Sequence, residues 1–342
     1  MDHPYQRGGP RQRRDLQPVH PGPQGRGCRG RPQDPRGPRR QRRRRVHRAG
    51  RAGQGEREHR REEVGLTGDS ALHRPGAAPF TERTPRVVAA RKLTRRAERE
   101  KTGRFLAEGA NAVEAALEHG GKVYELFVTE RAAAQHERLV IAARAAGVPV
   151  SPITDRAADG LSETVTPQGI VAVCALVDRP QETVLKPGAK LVVVLVDVAD
   201  PGNAGTVIRV ADAAGADAVV LAGDSVDPHN GKCVRAAAGS LFHPAITRIR
   251  DVDAALKACS AAGLRTFGAH GYADTELDQV TFAEPTAWVF GNEAHGLPQG
   301  VLESVDLAVK IPMYGRAESL NLATAAAICV YTNAMASRAA ST

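Results

Sequence analysis

Cysteine and aromatic residues are scarce in this 342-residue chain, which has five cysteines, one tryptophan and 4% aromatics in all. None of Cys28, Cys174, Cys233, Cys259 and Cys329 forms a CxxC pair, and their number is odd. That argues against a disulfide framework or a zinc site and fits a reducing cytosol, so the expected location is cytoplasmic. The eleven histidines do not fall into ligand spacing with carboxylates or cysteines, and no metal is expected. No apolar run reaches the roughly 18 residues of a membrane span. The first residues lack the apolar core of a signal peptide, so no membrane association is expected. A GxGxxG fingerprint is missing after the first strand of the C-terminal half, as is a Walker A sequence. Neither a Rossmann-type cofactor site there nor a nucleotide-dependent oxidoreductase is supported.

Charge of one sign is equally uneven. The net charge is +9, but residues 1–79 hold 20 Lys/Arg against 8 Asp/Glu, and residues 80–104 hold 9 against 3. The remainder holds 18 against 27 and is acidic. Whole-chain charge is therefore poor evidence for nucleic-acid binding, which depends on local patches. Residues 1–80 are rich in Arg, Gly and Pro and poor in large apolar side chains, too poor to offset ordering entropy, so disorder is expected. Three readings of this extension compete: an RNA-binding tail, a solvated extension with no role, and a start site placed too far upstream.

From Thr84 the texture changes. Val87–Glu100 reads as one basic amphipathic helix, and its Arg91, Lys92, Arg95 and Arg96, with Arg104, are candidate RNA contacts. Strand-like Phe105–Gly109, a helix capped by Asn111, strand Val123–Val128, helix Ala132–Ala146, strand Val148–Val150, a short helix from Asp155 and strand Gly169–Leu176 follow. This α/β alternation predicts a small domain over 81–178. Residues 179–189 read as a linker. Residues 190–339 read as a second α/β unit, opened by the apolar run Leu191–Val196 of a strand buried on both faces. Further strands are expected at Ala218–Leu221, Ala245–Ile249, Leu264–Gly268, Ala287–Phe290 and Leu307–Ile311. A last helix is expected from a Ser319 N-cap to about Ser337.

Three segments carry more polarity than structure requires: Asp200-Pro-Gly-Asn-Ala-Gly-Thr-Val-Ile-Arg209, Phe290-Gly-Asn-Glu-Ala-His-Gly-Leu-Pro298 and Ile311-Pro-Met-Tyr-Gly-Arg-Ala-Glu-Ser-Leu-Asn-Leu322. Loops after parallel strands are where open α/β sheets place ligands. In order and spacing these segments resemble the signature motifs of the SpoU family of ribose 2′-O-methyltransferases, in the SPOUT superfamily. The small domain resembles the L30e/L7Ae-like RNA-recognition domain of such proteins through Arg104-Phe-Leu-Ala-Glu-Gly109 and Thr166-Pro-Gln-Gly169. Ala222-Gly-Asp-Ser-Val-Asp-Pro-His-Asn-Gly-Lys232 and Thr164–Gly169 are similar to the actinobacterial group of thiostrepton-resistance-type 23S rRNA methyltransferases.

The resemblance implies a deep trefoil knot in the C-terminal domain and S-adenosyl-L-methionine as cofactor. It also implies 2′-O-methylation of structured RNA, with ribosomal RNA favoured over tRNA. A non-catalytic RNA-binding or ribosome-assembly protein of the same fold is the alternative. The candidate catalytic residues are Arg209, Asn203, Glu293, Ser319 and Asn321. The candidate cofactor contacts are Ala269, His270, Gly271, Gly291, Asn292, Gly296, Ile311, Met313 and Leu320, with Gly291 expected to let the cofactor press on the backbone. His295 is a weaker candidate base, because the family commonly has Gly after the Glu and this chain has Ala294. A guanidinium is a poor proton acceptor, so Arg209 suits phosphate positioning or alkoxide stabilisation rather than proton removal. SPOUT enzymes are generally dimers. The apolar last helix, with Leu320, Leu322, Ile328, Tyr331 and Met335 on more than one face, also predicts a homodimer.

Overall fold

The computed structural model describes residues 78–119 and 121–339, and the expectations for residues 1–77 lie outside these. The N-terminal part runs α1 (Pro85–Lys92), α2 (Arg96–Thr102), β1 (Arg104–Glu108), α3 (Ala110–Glu118), β2 (Val123–Val128), α4 (Glu130–Gln135), α5 (Glu137–Ala145), β3 (Val150–Pro152), α6 (Asp155–Leu161) and β4 (Ile170–Ala175). Its sheet has the order β1-β4-β2-β3, antiparallel except for β2 with β3. The C-terminal part runs α7 (Gln181–Val184), β5 (Leu191–Val196), α8 (Pro201–Ala214), β6 (Ala218–Ala222), α9 (Gly231–Ala237), β7 (Ala245–Ile249), α10 (Val252–Ala261), β8 (Arg265–Ala269), β9 (Thr275–Glu276), β10 (Thr286–Phe290), α11 (Gln299–Ser304), β11 (Leu307–Lys310) and α12 (Leu322–Ala339).

The second sheet has the order β7-β6-β5-β10-β8-β11-β9, and every pairing in it is parallel. The central strands are apolar along their length because helices cover both faces. The late strand β10 enters between β5 and β8, an insertion of the kind the knot expectation calls for. As a result the chain leaves β5, β10, β8 and β11 at one edge, side by side. All three polar segments begin there.

Several local expectations are corrected. The single helix expected over Val87–Glu100 is two, because the chain turns at Leu93 and Arg95 is extended (ψ 132°). The Arg99 guanidinium holds that turn by donating to the carbonyls of Leu93 (3.0 Å) and Thr94 (2.8 Å). The helix expected over Ala132–Ala146 also breaks, at His136. Asn111 does not cap α3. Gly109 does, at φ 98°, and the free N–H of Ala110 donates to Gln168 Oε1 (3.1 Å). The last helix begins at Leu322 rather than Ser319. Helices α7 and α11 and the two-residue β9 are too short to show periodicity in the sequence.

One apolar core runs through both sheets. Phe105, Val113 and Ile170 of the first belong to the same buried cluster as Leu195, Ile208, Leu241 and Trp288 of the second. Phe105 lies 4.7 Å from the His229 ring and 6.0 Å from Phe242. A second cluster fills the other face of the parallel sheet, under α10 and α11.

The last helix is tied to the sheet by one buried polar contact, from Trp288 Nε1–H to Asn333 Oδ1 at 3.1 Å. Replacing Asn333 with leucine strands that indole N–H in an apolar core. The expected loss is about 2 kcal/mol. Thermal melting should show it as a fall of about 4–8 °C.

Candidate active site

The first polar segment leaves β5 through Asp197, a non-glycine residue with left-handed backbone (φ 52°). Asp200 then caps α8, accepting from the Asn203 N–H at 2.8 Å. Pro201 follows at the first helical position, where its missing N–H is not needed. With Asp200 as the cap, the Asn203 side chain is left to face the neighbouring loops. Gly205 serves helix packing rather than ligand approach, since a Cβ there would lie 2.3 Å from the carbonyl oxygen of Cys233 in α9.

Glu293 joins the three segments. It accepts from the backbone N–H of Ala199 (3.0 Å) and Asp200 (3.0 Å) and from Asn203 Nδ2 (3.1 Å). Partial burial pushes its carboxyl up, but these donors outweigh burial and hold it below the usual range. Asn321 Nδ2 in turn donates to Asn203 Oδ1 at 3.0 Å. Asn321 Oδ1 accepts from the Ala323 N–H at 2.9 Å, so Asn321, not Ser319, caps α12. Glu293, Asn203 and Asn321 thus form one hydrogen-bonded chain across three loops. Ser319 is exposed in the loop before them and makes no hydrogen bond among the described residues. Arg209 is exposed on α8, with no ion pair among the described residues.

The candidate cofactor residues divide. Ile311, Met313 and Leu320 line an apolar pocket of about 480 Å³ with Leu277, Pro312 and Ile328. Ala269 ends the adjacent strand β8, His270 and Gly271 follow it, and the His270 N–H donates to the Val309 carbonyl of β11 (2.9 Å). Space beside Gly271 and Gly296 is open. These apolar walls and unobstructed backbone edges fit a flat adenine with a polar tail. Gly291 and Asn292 do not line the pocket. A Cβ on Gly291 would lie 2.2–2.4 Å from the Gly296–Leu297 backbone, so the turn closing on itself requires glycine there. Asn292 holds that turn, donating to the Asp197 carbonyl (2.7 Å) and accepting from the Ala294 N–H (2.9 Å). His295 is exposed, held only through its backbone N–H.

Of the candidate RNA contacts, Arg91, Lys92 and Arg95 line one cleft of about 490 Å³ with Ser162 and Glu163. They make no ion pair among the described residues. Arg96 is paired with Glu100 (2.8 Å), and the Arg104 guanidinium lies 3.9 Å over the Tyr124 ring.

Family comparison agrees with this layout. A model of the SpoU rRNA methylase family matches residues 190–331, and one of an MRM3-like substrate binding domain matches residues 84–172. A 23S rRNA (guanosine(2553)-2′-O)-methyltransferase of Bacillus subtilis is 39% identical over 242 residues, 70% of this chain and 92% of the relative. The chain belongs to the SpoU family. A Streptomyces viridochromogenes 23S rRNA (uridine(2479)-2′-O)-methyltransferase is 31% identical over 75% of this chain and 92% of its own. The crystal structure of an AdoMet-bound rRNA methyltransferase from Sinorhizobium meliloti superposes with a TM-score of 0.66 at 31% identity, covering 73% of this chain and 94% of that one.

Sequence reasoning missed the part played by Asp227 and His229. They lie inside the quoted segment Ala222–Lys232 and bond to each other, but the partners that give them their part, Arg99 and Val177, are more than 50 positions away. No local pattern in the sequence carried that signal.

The turn at Gly291 gives a direct test. Gly291→Ala forces a methyl group into the Gly296 backbone, so loss of cofactor binding should come with a lower melting temperature rather than in a fully stable protein. Calorimetric binding and thermal melting on the same sample check this. Unchanged stability with lost binding would restore a direct cofactor contact at Gly291.

Proposed function

We propose that this SpoU protein methylates a ribose 2′-hydroxyl in ribosomal RNA, with 23S rRNA as the favoured substrate and S-adenosylmethionine as donor. The single observation that carries the reading is the hydrogen-bonded chain Glu293–Asn203–Asn321. It draws the three motifs into one polar corner beside an apolar pocket of nucleoside size. The relatives' substrates support ribosomal RNA, and the open cationic cleft of Arg91, Lys92 and Arg95 supports a polyanionic one.

S-adenosylmethionine supplies a methyl group already carried on a good leaving group. The chain supplies position. Ile311, Met313 and Leu320 offer apolar walls for the adenine, while the ends of β8 and β11 offer backbone groups. The Arg209 guanidinium suits an RNA phosphate or the charge that grows on the 2′-oxygen. Glu293 is ill suited as the base, because its oxygens already accept three N–H donors. Ser319, exposed and without a hydrogen-bond partner among the described residues, is the freer polar group.

The same corner continues into an apolar surface. Tyr314, Tyr331 and Met335 are 92%, 39% and 63% exposed, and Ile328 joins them on α12. A homodimer burying this face is part of the proposal. Sedimentation at micromolar concentration should show a dimer, and a stable monomer would refute it.

Mapping 2′-O-methylated nucleotides in ribosomal RNA with and without the gene tests the function itself. Within the site, Arg209→Ala removes a charge worth about 2–4 kcal/mol to a transition state. Single-turnover methylation should fall roughly 30- to 1000-fold. S-adenosylmethionine affinity should be nearly unchanged, because Arg209 does not line the apolar pocket. Near-normal turnover would transfer attention to Ser319.

A further inference from the structure

The first four residues of the connection between the two sheets are each bonded. The Leu176 N–H donates to the Gly103 carbonyl (3.0 Å), the Val177 N–H to His229 Nε2 (3.1 Å) and the Arg179 N–H to the Ile246 carbonyl (2.9 Å). Asp178 pairs with Arg248 at 2.5 Å. A segment held this way is not a hinge.

Beside it lies a buried ion pair between the parts. Arg99 of α2 is 3% exposed and Asp227 is 5% exposed. Arg99 Nε and Nη2 reach Asp227 Oδ2 at 2.9 and 2.7 Å. Asp227 Oδ1 accepts from the His229 N–H (3.0 Å) and faces His229 Nδ1 (3.2 Å). Since His229 Nε2 accepts from Val177, the geometry requires a neutral ring with its proton on Nδ1, donated to Asp227. A second pair, Arg235 with Glu108 at 2.9 Å, joins α9 to β1, and Ser162 donates to the same carboxylate.

What the buried pair fixes is specific. Through Nη1 the same guanidinium holds the carbonyls of Leu93 and Thr94, in the turn that carries Arg91, Lys92 and Arg95. On the other side, the 225–231 loop leads into α9. There Lys232 pairs with Asp200 (2.6 Å), the cap of the helix bearing Asn203 and Arg209. Contacts of Arg99 and Asp227 thus reach the cationic cleft, and from Asp227 the short turn capped by Asn230 leads to Lys232 and its pair with the first motif.

We infer that the Arg99–Asp227–His229 lock is a specificity device: it holds the cationic cleft at one fixed span from Arg209 and Asn203. The nucleotide methylated is then the one lying that span from the docked RNA element. These three are positioning residues and touch neither RNA nor cofactor. The inference rests on the methyltransferase reading above.

The test uses the full chain. In Arg99→Gln the cleft cations remain, so affinity for ribosomal RNA should change little, and S-adenosylmethionine affinity should match the wild type. Misplacing the ribose by about 1 Å suffices for a loss of order 100-fold. Single-turnover methylation at the wild-type nucleotide should therefore fall by at least about tenfold, with methyl groups spreading to neighbouring nucleotides. A folded Arg99→Gln protein that marks the same single nucleotide at the wild-type rate overturns the inference.

Breaking a buried pair can prevent folding. Hydrogen exchange on the unmodified protein then decides. The Val177 and Arg179 amides should exchange as slowly as those of β5, and exchange typical of an open linker would overturn the lock. A wild-type protein that methylates no RNA would instead refute the methyltransferase reading, and the exchange measurement would still report on the lock.

Discussion

The carboxylate of Glu293 accepts three N–H donors that come from a different loop, and the geometry of the site follows from that. Its oxygens fix Ala199 and Asp200 just before α8 begins, and they orient the amide of Asn203. Asn203 then has one way to present its oxygen, and Asn321 donates to it while capping α12. Three loops that leave different strands are thereby set relative to one another by side chains whose acceptors are already engaged. A charged acceptor with several backbone donors is a strong anchor, because removing either partner leaves groups without compensation. Such an anchor is a poor proton acceptor, and this separates holding the site from doing its chemistry.

The sheet makes this possible. Parallel strands deliver their following loops to one edge, and the order β5-β10-β8-β11 places four of them next to each other. Asn292 donating to the carbonyl of Asp197 is a direct consequence, linking residues 95 apart. The apolar pocket belongs to the same edge, where the chain leaving β11 meets α12. Polar corner and apolar pocket are neighbours because of topology, before any side chain is considered.

The relation between the two parts of the chain is more intimate than a bead-on-string picture. They share an apolar core through Phe105, Leu241 and Phe242, and a buried arginine–aspartate–histidine set spans them. Burial pushes the Asp227 carboxyl up, yet the His229 and Arg99 hydrogen bonds outweigh it and hold it well below the usual carboxylate range. By linkage, this group's contribution is complete above the ordinary carboxylate pKa and is lost only as pH falls through the depressed folded value. The Asp227 carboxylate is therefore ionised throughout the neutral range.

By itself the sequence determined the α/β class, the parallel strands, the three polar segments and the family. These follow from local signals: unbroken apolar runs, glycine and capping residues, and motif order, all of which depend on near neighbours. The tertiary structure decided which polar residue does which task. Asp200 rather than Asn203 caps α8, Asn321 rather than Ser319 caps α12, and Gly291 is glycine because a turn closes on Gly296. The structure alone placed Asp227 and His229 against Arg99 and Val177, and it alone divided the N-terminal cations into an open cleft and paired or stacked residues. The physical reason is the same throughout. A cap, an ion pair or a steric exclusion is defined by the atom that fills the remaining valence or space. In this fold that atom often comes from a strand or loop tens of residues away.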